Sequence, residues 1–166
     1  TFSFCLPSSS NPSLFRIASI TETDARSERG ITTYYRYDSL GRLVERTDPY
    51  GIKTVYVWGY GGMHLVAEIT NCGLDDVRDI PGLRNIHTDP LPGGLGNIDQ
   101  TLRANVSGDA EVSSWDYLPL VGMIKATDPS GRSVSYEYNG TGKLKGMRDD
   151  LGRLTDAYLY STDNKR

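Results

Sequence analysis

The chain repeats one short phrase, and that repeat restricts its fold more than any single residue does. Tyr37-Asp38-Ser39-Leu40-Gly41-Arg42-Leu43 is followed by Thr47-Asp48-Pro49-Tyr50-Gly51 and then by Tyr56-Val57-Trp58. The second block returns as Thr127-Asp128-Pro129-Ser130-Gly131, followed by Tyr136-Glu137-Tyr138. The first returns as Asp149-Asp150-Leu151-Gly152-Arg153-Leu154. A unit recurring at this scale belongs to an array, in which each unit buries its apolar surface against its neighbours.

The repeat reads as strand and turn. Ile31 to Tyr37 is rich in β-branched and aromatic residues, which suit a pleated, half-buried surface. Asp38 can bond the backbone two residues on, and Gly41 supplies a positive φ. Asp48, Pro49 and Gly51 occupy the first, second and fourth positions of a type I turn, as do Asp128, Pro129 and Gly131. Gly152 closes the last such turn. Strands are expected near 14–21, 31–37, 42–47, 52–58, 64–70, 112–117, 120–127, 132–138, 143–148 and 153–160. Short strands at about ten-residue spacing imply a mainly-β antiparallel meander, forming a curved sheet or partial spiral.

Two stretches break the pattern. Residues 1–13, with Pro7, Pro12 and a serine run, read as an irregular lead-in. Residues 71–110 read as a two-helix insertion. Leu74, Val77 and Ile80 mark a first helix, with Asp75 and Asp76 near its start and Pro81 ending it. Asn97 to Gln100 resembles a capping box for a second, with Ile98, Leu102 and Val106 on one face and Gly108 past its end. The β domain then spans 14–160, and 161–166 is a polar tail. Because the chain starts at Thr1 and not Met, it is expected to be a fragment, with any secretion signal upstream.

Composition narrows the function. Lys and Arg total 18 against 21 for Asp and Glu, so no basic surface points to nucleic acid. No apolar run is long enough to span a membrane. Cys5 and Cys72 lack metal-site spacing, and a disulfide between them has little support. His64 and His87 stand apart from any metal-ligand pattern. No cofactor or metal site is expected.

Chemistry can be weighed residue by residue. A glycosidase needs two carboxylates facing each other across a sugar. Asp38, Glu45, Asp48, Glu68, Asp128 and Glu137 are the candidates, but most fall in turns or point outward, and nothing pairs them. Gly93-Gly94-x-Gly96 lacks the strand and Lys of a phosphate loop, so it reads as a flexible connection. Asn105 and Asn139 begin Asn-x-Ser/Thr triplets. On the strands, Thr54, Tyr56 and Trp58 share a face, as do Val134, Tyr136 and Tyr138. A ladder of Tyr56, Trp58, Tyr136 and Tyr138 would either pack half-buried or, if open, offer a surface for glycans.

The ordered series resembles the YD repeats of the RHS (rearrangement hot spot) superfamily. Tyr37-Asp38, Gly41-Arg42-Leu43, Thr47-Asp48, Gly51, Thr54 and Tyr56 carry the match in the first half. In the second, Thr127-Asp128-Pro129, Gly131, Tyr136, Tyr138 and Gly152-Arg153-Leu154 do so. Pro119 to Met123 leading into Thr127 resembles RHS-type proteins of Bacteroidetes. Trp58-Gly59, Tyr138-Asn139 and Lys143 depart from the pattern.

The resemblance implies a non-enzymatic segment of a large bacterial secreted or cell-surface protein. Its β-shell would enclose or present a variable C-terminal toxin or effector, with neighbouring repeats as partners and self-association through sheet edges. The two Asp-Pro-x-Gly motifs are similar to those of RHS autoproteolysis. Here they lie far apart in sequence and each follows a strand, as a turn should.

Overall fold

The computed structural model describes residues 2–5, 16–23 and 30–160. The chain forms two compact units, 1–112 and 113–166. Strands of the first are β1 (Phe2–Cys5), β2 (Arg16–Thr23), β3 (Gly30–Tyr37), β4 (Leu43–Thr47), β5 (Lys53–Gly59) and β6 (His64–Thr70). Helices α1 (Leu74–Val77) and α2 (Ile98–Asn105) follow. Strand β7 (Glu111–Leu118) leads into the second unit, with β8 (Gly122–Thr127), β9 (Ser133–Tyr138), β10 (Leu144–Arg148) and β11 (Leu154–Ala157). Within each unit every strand pairs antiparallel with its successor in the chain. This is the antiparallel meander, with two helices, that the repeat implies.

Several local expectations are corrected. Strand β1 lies inside the stretch read as an irregular lead-in, because Phe2–Cys5 finds a partner in β2. Strand β8 starts at Gly122, since Leu120 takes a φ of 65° and ends the extended run before it. Helix α1 is a single turn. Beyond it Ile80, Leu83 and Ile86 each donate their N–H to the carbonyl three residues back, at 3.0–3.1 Å. Leu74, Val77, Ile80, Leu83 and Ile86 are all buried. The segment is thus a ribbon of linked turns with period three, a spacing that lines up one side chain per turn. Helix α2 has no side-chain cap from Asn97, whose backbone is itself helical. The expected tail at 161–166 lies outside the described residues.

The core of the first unit lies between strands and insertion. Glu45 faces Val55 across β4–β5, and Val55 and Val57 face Ile69 and Ala67 across β5–β6. These five residues share a face, and all are buried. Leu74 donates its N–H to Glu45 Oε2 at 2.7 Å, which places the insertion on that face. Fully burying one valine side chain stabilises by about 1.5–3 kcal/mol. In the second unit, Ser135 and Glu137 stand where Val55 and Val57 do. Glu137 pairs there with Arg148 at 2.6 Å.

Candidate functional site

The repeated motif builds one device five times among the described residues. The N–H groups of Gly41, Gly51, Gly131, Gly142 and Gly152 donate to the carbonyls of Asp38, Asp48, Asp128, Asn139 and Asp149, at 2.9–3.0 Å. Each Asx N–H in turn donates to the carbonyl four residues on, at 2.8–3.0 Å. All five glycines have φ between 75° and 85°. This is the three-residue hairpin loop, a type I turn closed by a left-handed glycine bulge.

The carboxylates are spent on the turns. Asp38 Oδ1 accepts the N–H groups of Leu40 and Arg42 at 2.9 and 2.8 Å. Asp48 Oδ1 does the same for Tyr50 and Ile52, and Asp149 Oδ1 for Leu151 and Arg153. Arginine four residues on returns to the acid. Arg42 Nε donates to Asp38 Oδ2 at 2.6 Å, and Arg153 Nε to Asp149 Oδ2 at 2.7 Å. Arg132 lies 3.5 Å from Asp128. A hydrogen bond from Ser130 holds the Asp128 carboxyl below its usual range, and one from Arg153 does so for Asp149. The Arg148 guanidinium lowers Glu137 in the same way.

Of the two remaining acid candidates, Glu45 has a structural role as well. Glu45, one of the buried polar side chains, accepts from Leu74 N–H with one oxygen and from Arg36 with the other, at 3.1 Å. It fastens the start of the insertion to β4. Glu68 stands across from Tyr56 in the β5–β6 ladder. Among the described residues, no group of three or more His, Cys, Asp and Glu is placed to hold a metal.

The aromatic residues divide by what their polar ends do. Trp58 Nε1 donates to Leu43 O at 2.8 Å, and Tyr138 Oη to Met123 O at 2.7 Å. Tyr160 Oη reaches Leu144 O at 2.7 Å. Each acceptor is at or beside the first residue of a strand, and each donor is within one residue of the far end of the next or beyond it. The bond pins the open end of a hairpin, so these rings act as latches. Tyr56 and Tyr136 are half-buried on the same faces, and burial raises the Tyr56 phenol above its ordinary value. The four rings proposed as a ladder make no ring-to-ring contact within either unit. The described aromatic pair is Tyr60 with His64, edge to face at 5.6 Å.

Sequence reasoning missed the latches, although their spacing of 15 or 16 residues recurs. It also missed how the Gly93 loop is held. Leu91 N–H donates to Trp58 O at 2.8 Å, and Gly93 O accepts from Tyr60 N–H at 3.0 Å. A Cβ on Gly59 would stand 2.4 Å from that Gly93 oxygen. The loop is pinned to the end of β5. Cys72 is a free, buried thiol, pushed up to about 11 by burial and by the nearby acids Asp76 and Glu45.

Residues 16–54, from β2 into the start of β5, match the family model described as RHS Repeat. That stretch is similar to the RHS repeat. In structure it is similar to a chain of the Photorhabdus luminescens Tc holotoxin pore bearing a TccC3 mutation. The TM-score is 0.54 at 13% identity, over 96% of this chain and 7% of that one. The likeness is one of fold. A second match, to a crystal structure of TcdB2-TccC3, has a TM-score of 0.30 at 17% identity, over 75% of this chain and 6% of that one. The chain therefore spans only a small part of the chains it matches. No curated protein sequence matches it.

Proposed function

We propose that this chain is a non-enzymatic structural module, a stretch of wall within a larger secreted or cell-surface protein that encloses or presents a toxin or effector. The observation that carries this reading is the use made of the repeat's acids. Asp38, Asp48 and Asp149 each hold two backbone N–H groups of their own turn. Asp128 holds the Arg132 N–H and the Ser130 hydroxyl. A carboxylate so engaged sets a strand reversal and is not free to act as a general base. Partners on this reading are neighbouring repeats of the same protein. No helix among the described residues is long and apolar enough to cross a membrane.

Glycan binding by Tyr56, Trp58, Tyr136 and Tyr138 has less support, because Trp58 and Tyr138 already spend their polar ends on the backbone. Autoproteolysis at Asp48-Pro49 or Asp128-Pro129 is tested by mass. The intact chain is held for days at neutral pH beside Asp48→Asn and Asp128→Asn. The expected result is no fragment from any of the three, with lower melting temperatures for the variants. Fragments ending at Asp48 or Asp128 in the parent, absent from the matching variant, would overturn the proposal.

A further inference from the structure

Four of the five repeat turns begin with aspartate and one with an amide, Asn139. It is followed by Gly140, which is exposed and whose missing Cβ would meet nothing within 4 Å. Asn139 Oδ1 accepts three hydrogen bonds: from Thr141 N–H at 3.0 Å, Lys143 N–H at 3.0 Å and Thr141 Oγ1 at 2.8 Å. Three donors on one amide oxygen draw electron density from Cγ. They also sit where negative charge would develop if a nucleophile added there. The nearest backbone nucleophile is the nitrogen of Gly140, separated from Cγ by the few bonds that close a five-membered ring.

We propose that Asn139–Gly140 is a self-modification site, at which the one amide turn is converted into the carboxylate turn of the other copies. A solvent base takes the Gly140 N–H proton, and the nitrogen attacks Asn139 Cγ. The new N–Cγ bond forms, the bond from Cγ to the amide nitrogen breaks, and that nitrogen leaves as ammonia after taking a proton from water. Water then adds to the cyclic imide. Addition at Cγ reopens the N–Cγ bond and leaves an aspartyl side chain on an unaltered backbone. Addition at the main-chain carbonyl instead diverts the backbone through the side chain. The net change is water in and ammonia out, with no oxidant or reductant.

The fold favours the first product. An aspartyl carboxylate can keep the same donors, and ionised acceptors make hydrogen bonds roughly twice as strong as neutral ones. Lys143 holds the sequence position four residues on that Arg42 holds for Asp38 and Arg153 for Asp149, although its ammonium lies over the Tyr160 ring, 5.0 Å from the centroid. The diverted backbone would move the carbonyl that accepts from Gly142 N–H at 2.9 Å.

The test is peptide mass mapping of the purified full chain during incubation at mildly alkaline pH, with chromatographic separation of the two acid isomers. The amide-to-acid mass change should accumulate at Asn139 ahead of Asn71, Asn97 and Asn105, with the aspartyl form in excess. Thr141→Ala should slow it severalfold in the folded chain and leave the rate in urea unchanged. Asn139→Asp should be inert and melt at a higher temperature than the parent. Three results would each overturn the proposal: no conversion at Asn139, a product mainly of the diverted isomer, or a Thr141→Ala rate equal to the parent's when folded.

Discussion

At the residue scale, the repeat is written in backbone geometry. Gly131 has a φ of 83° and open space where a Cβ would be, so an added methyl meets strain without a clash. A left-handed conformation costs an L-residue roughly 1–2 kcal/mol. Gly131→Ala should lower stability by about that amount, while Gly131→Asn, which tolerates the region, should lose less. Urea unfolding of the two variants checks this, and equal losses would mean that the turn relaxes into another form. Gly59 is glycine for a different reason, the Gly93 carbonyl 2.4 Å from its absent Cβ.

Cys72 adds a pH signature at the same scale. Its thiol titrates near 11 in the fold against an ordinary 9.0. The folded state thus holds the proton more tightly, and this contribution is complete below 9.0 and lost as pH rises from there through about 11. The parent should lose more stability over that window than Cys72→Ala does. Parallel slopes in urea titrations at successive pH values would contradict it.

At the element scale, the latches explain why aromatic residues end the outgoing strands. Tyr138→Phe keeps the ring and removes one hydroxyl, leaving the Met123 carbonyl without that donor. A loss of about 0.5–1.5 kcal/mol is expected, the usual net worth of such a bond. Trp58→Phe loses a donor and ring area together, so the tyrosine variant is the cleaner measurement. Calorimetric melting reads it, and an unchanged transition would show that the hydroxyl exchanges freely with water.

Strands were legible in the sequence because alternation and Asx-x-x-Gly turns agree in every copy. The turns at Asp38, Asp48, Asp128 and Asp149 could be placed from residue type alone, since Asp and Gly have few other reasons to sit three apart. Part of the insertion was legible too. Leu74, Val77 and Ile80 were seen as an apolar row, but the strict period of three continues past Pro81 to Leu83 and Ile86, which a helix of 3.6 residues per turn would not keep. The buried face went unread although Val55 and Val57 announce it. With Tyr56 and Trp58 between and after them, β5 is apolar on both sides, as a strand covered on both sides should be. The second copy, with Ser135 and Glu137 in those places, has no such need. Latches were hidden because a side chain reaching a backbone carbonyl leaves no partner residue type to find.

At the scale of the whole molecule, the exposed surface of the second unit argues for a neighbour. Every residue of β11 is exposed, with Leu154 at 53%, and Leu159 just beyond it is 99% exposed. The described pairing of β11 is with β10. An edge strand offers its remaining N–H and C=O groups to any chain that can pair with it, and natural edges are protected by charge, Pro or a bulge. Apart from Asp156, β11 has no charged side chain to deter pairing. The isolated chain is therefore expected to self-associate as its concentration rises, and Leu154→Lys, which places a charge on that edge, should shift it toward monomer. Light scattering across a concentration series reads both. A parent that stays monomeric at high concentration would mean that the edge is protected within the chain itself, and the case for neighbouring repeats would then rest on the repeat motif alone.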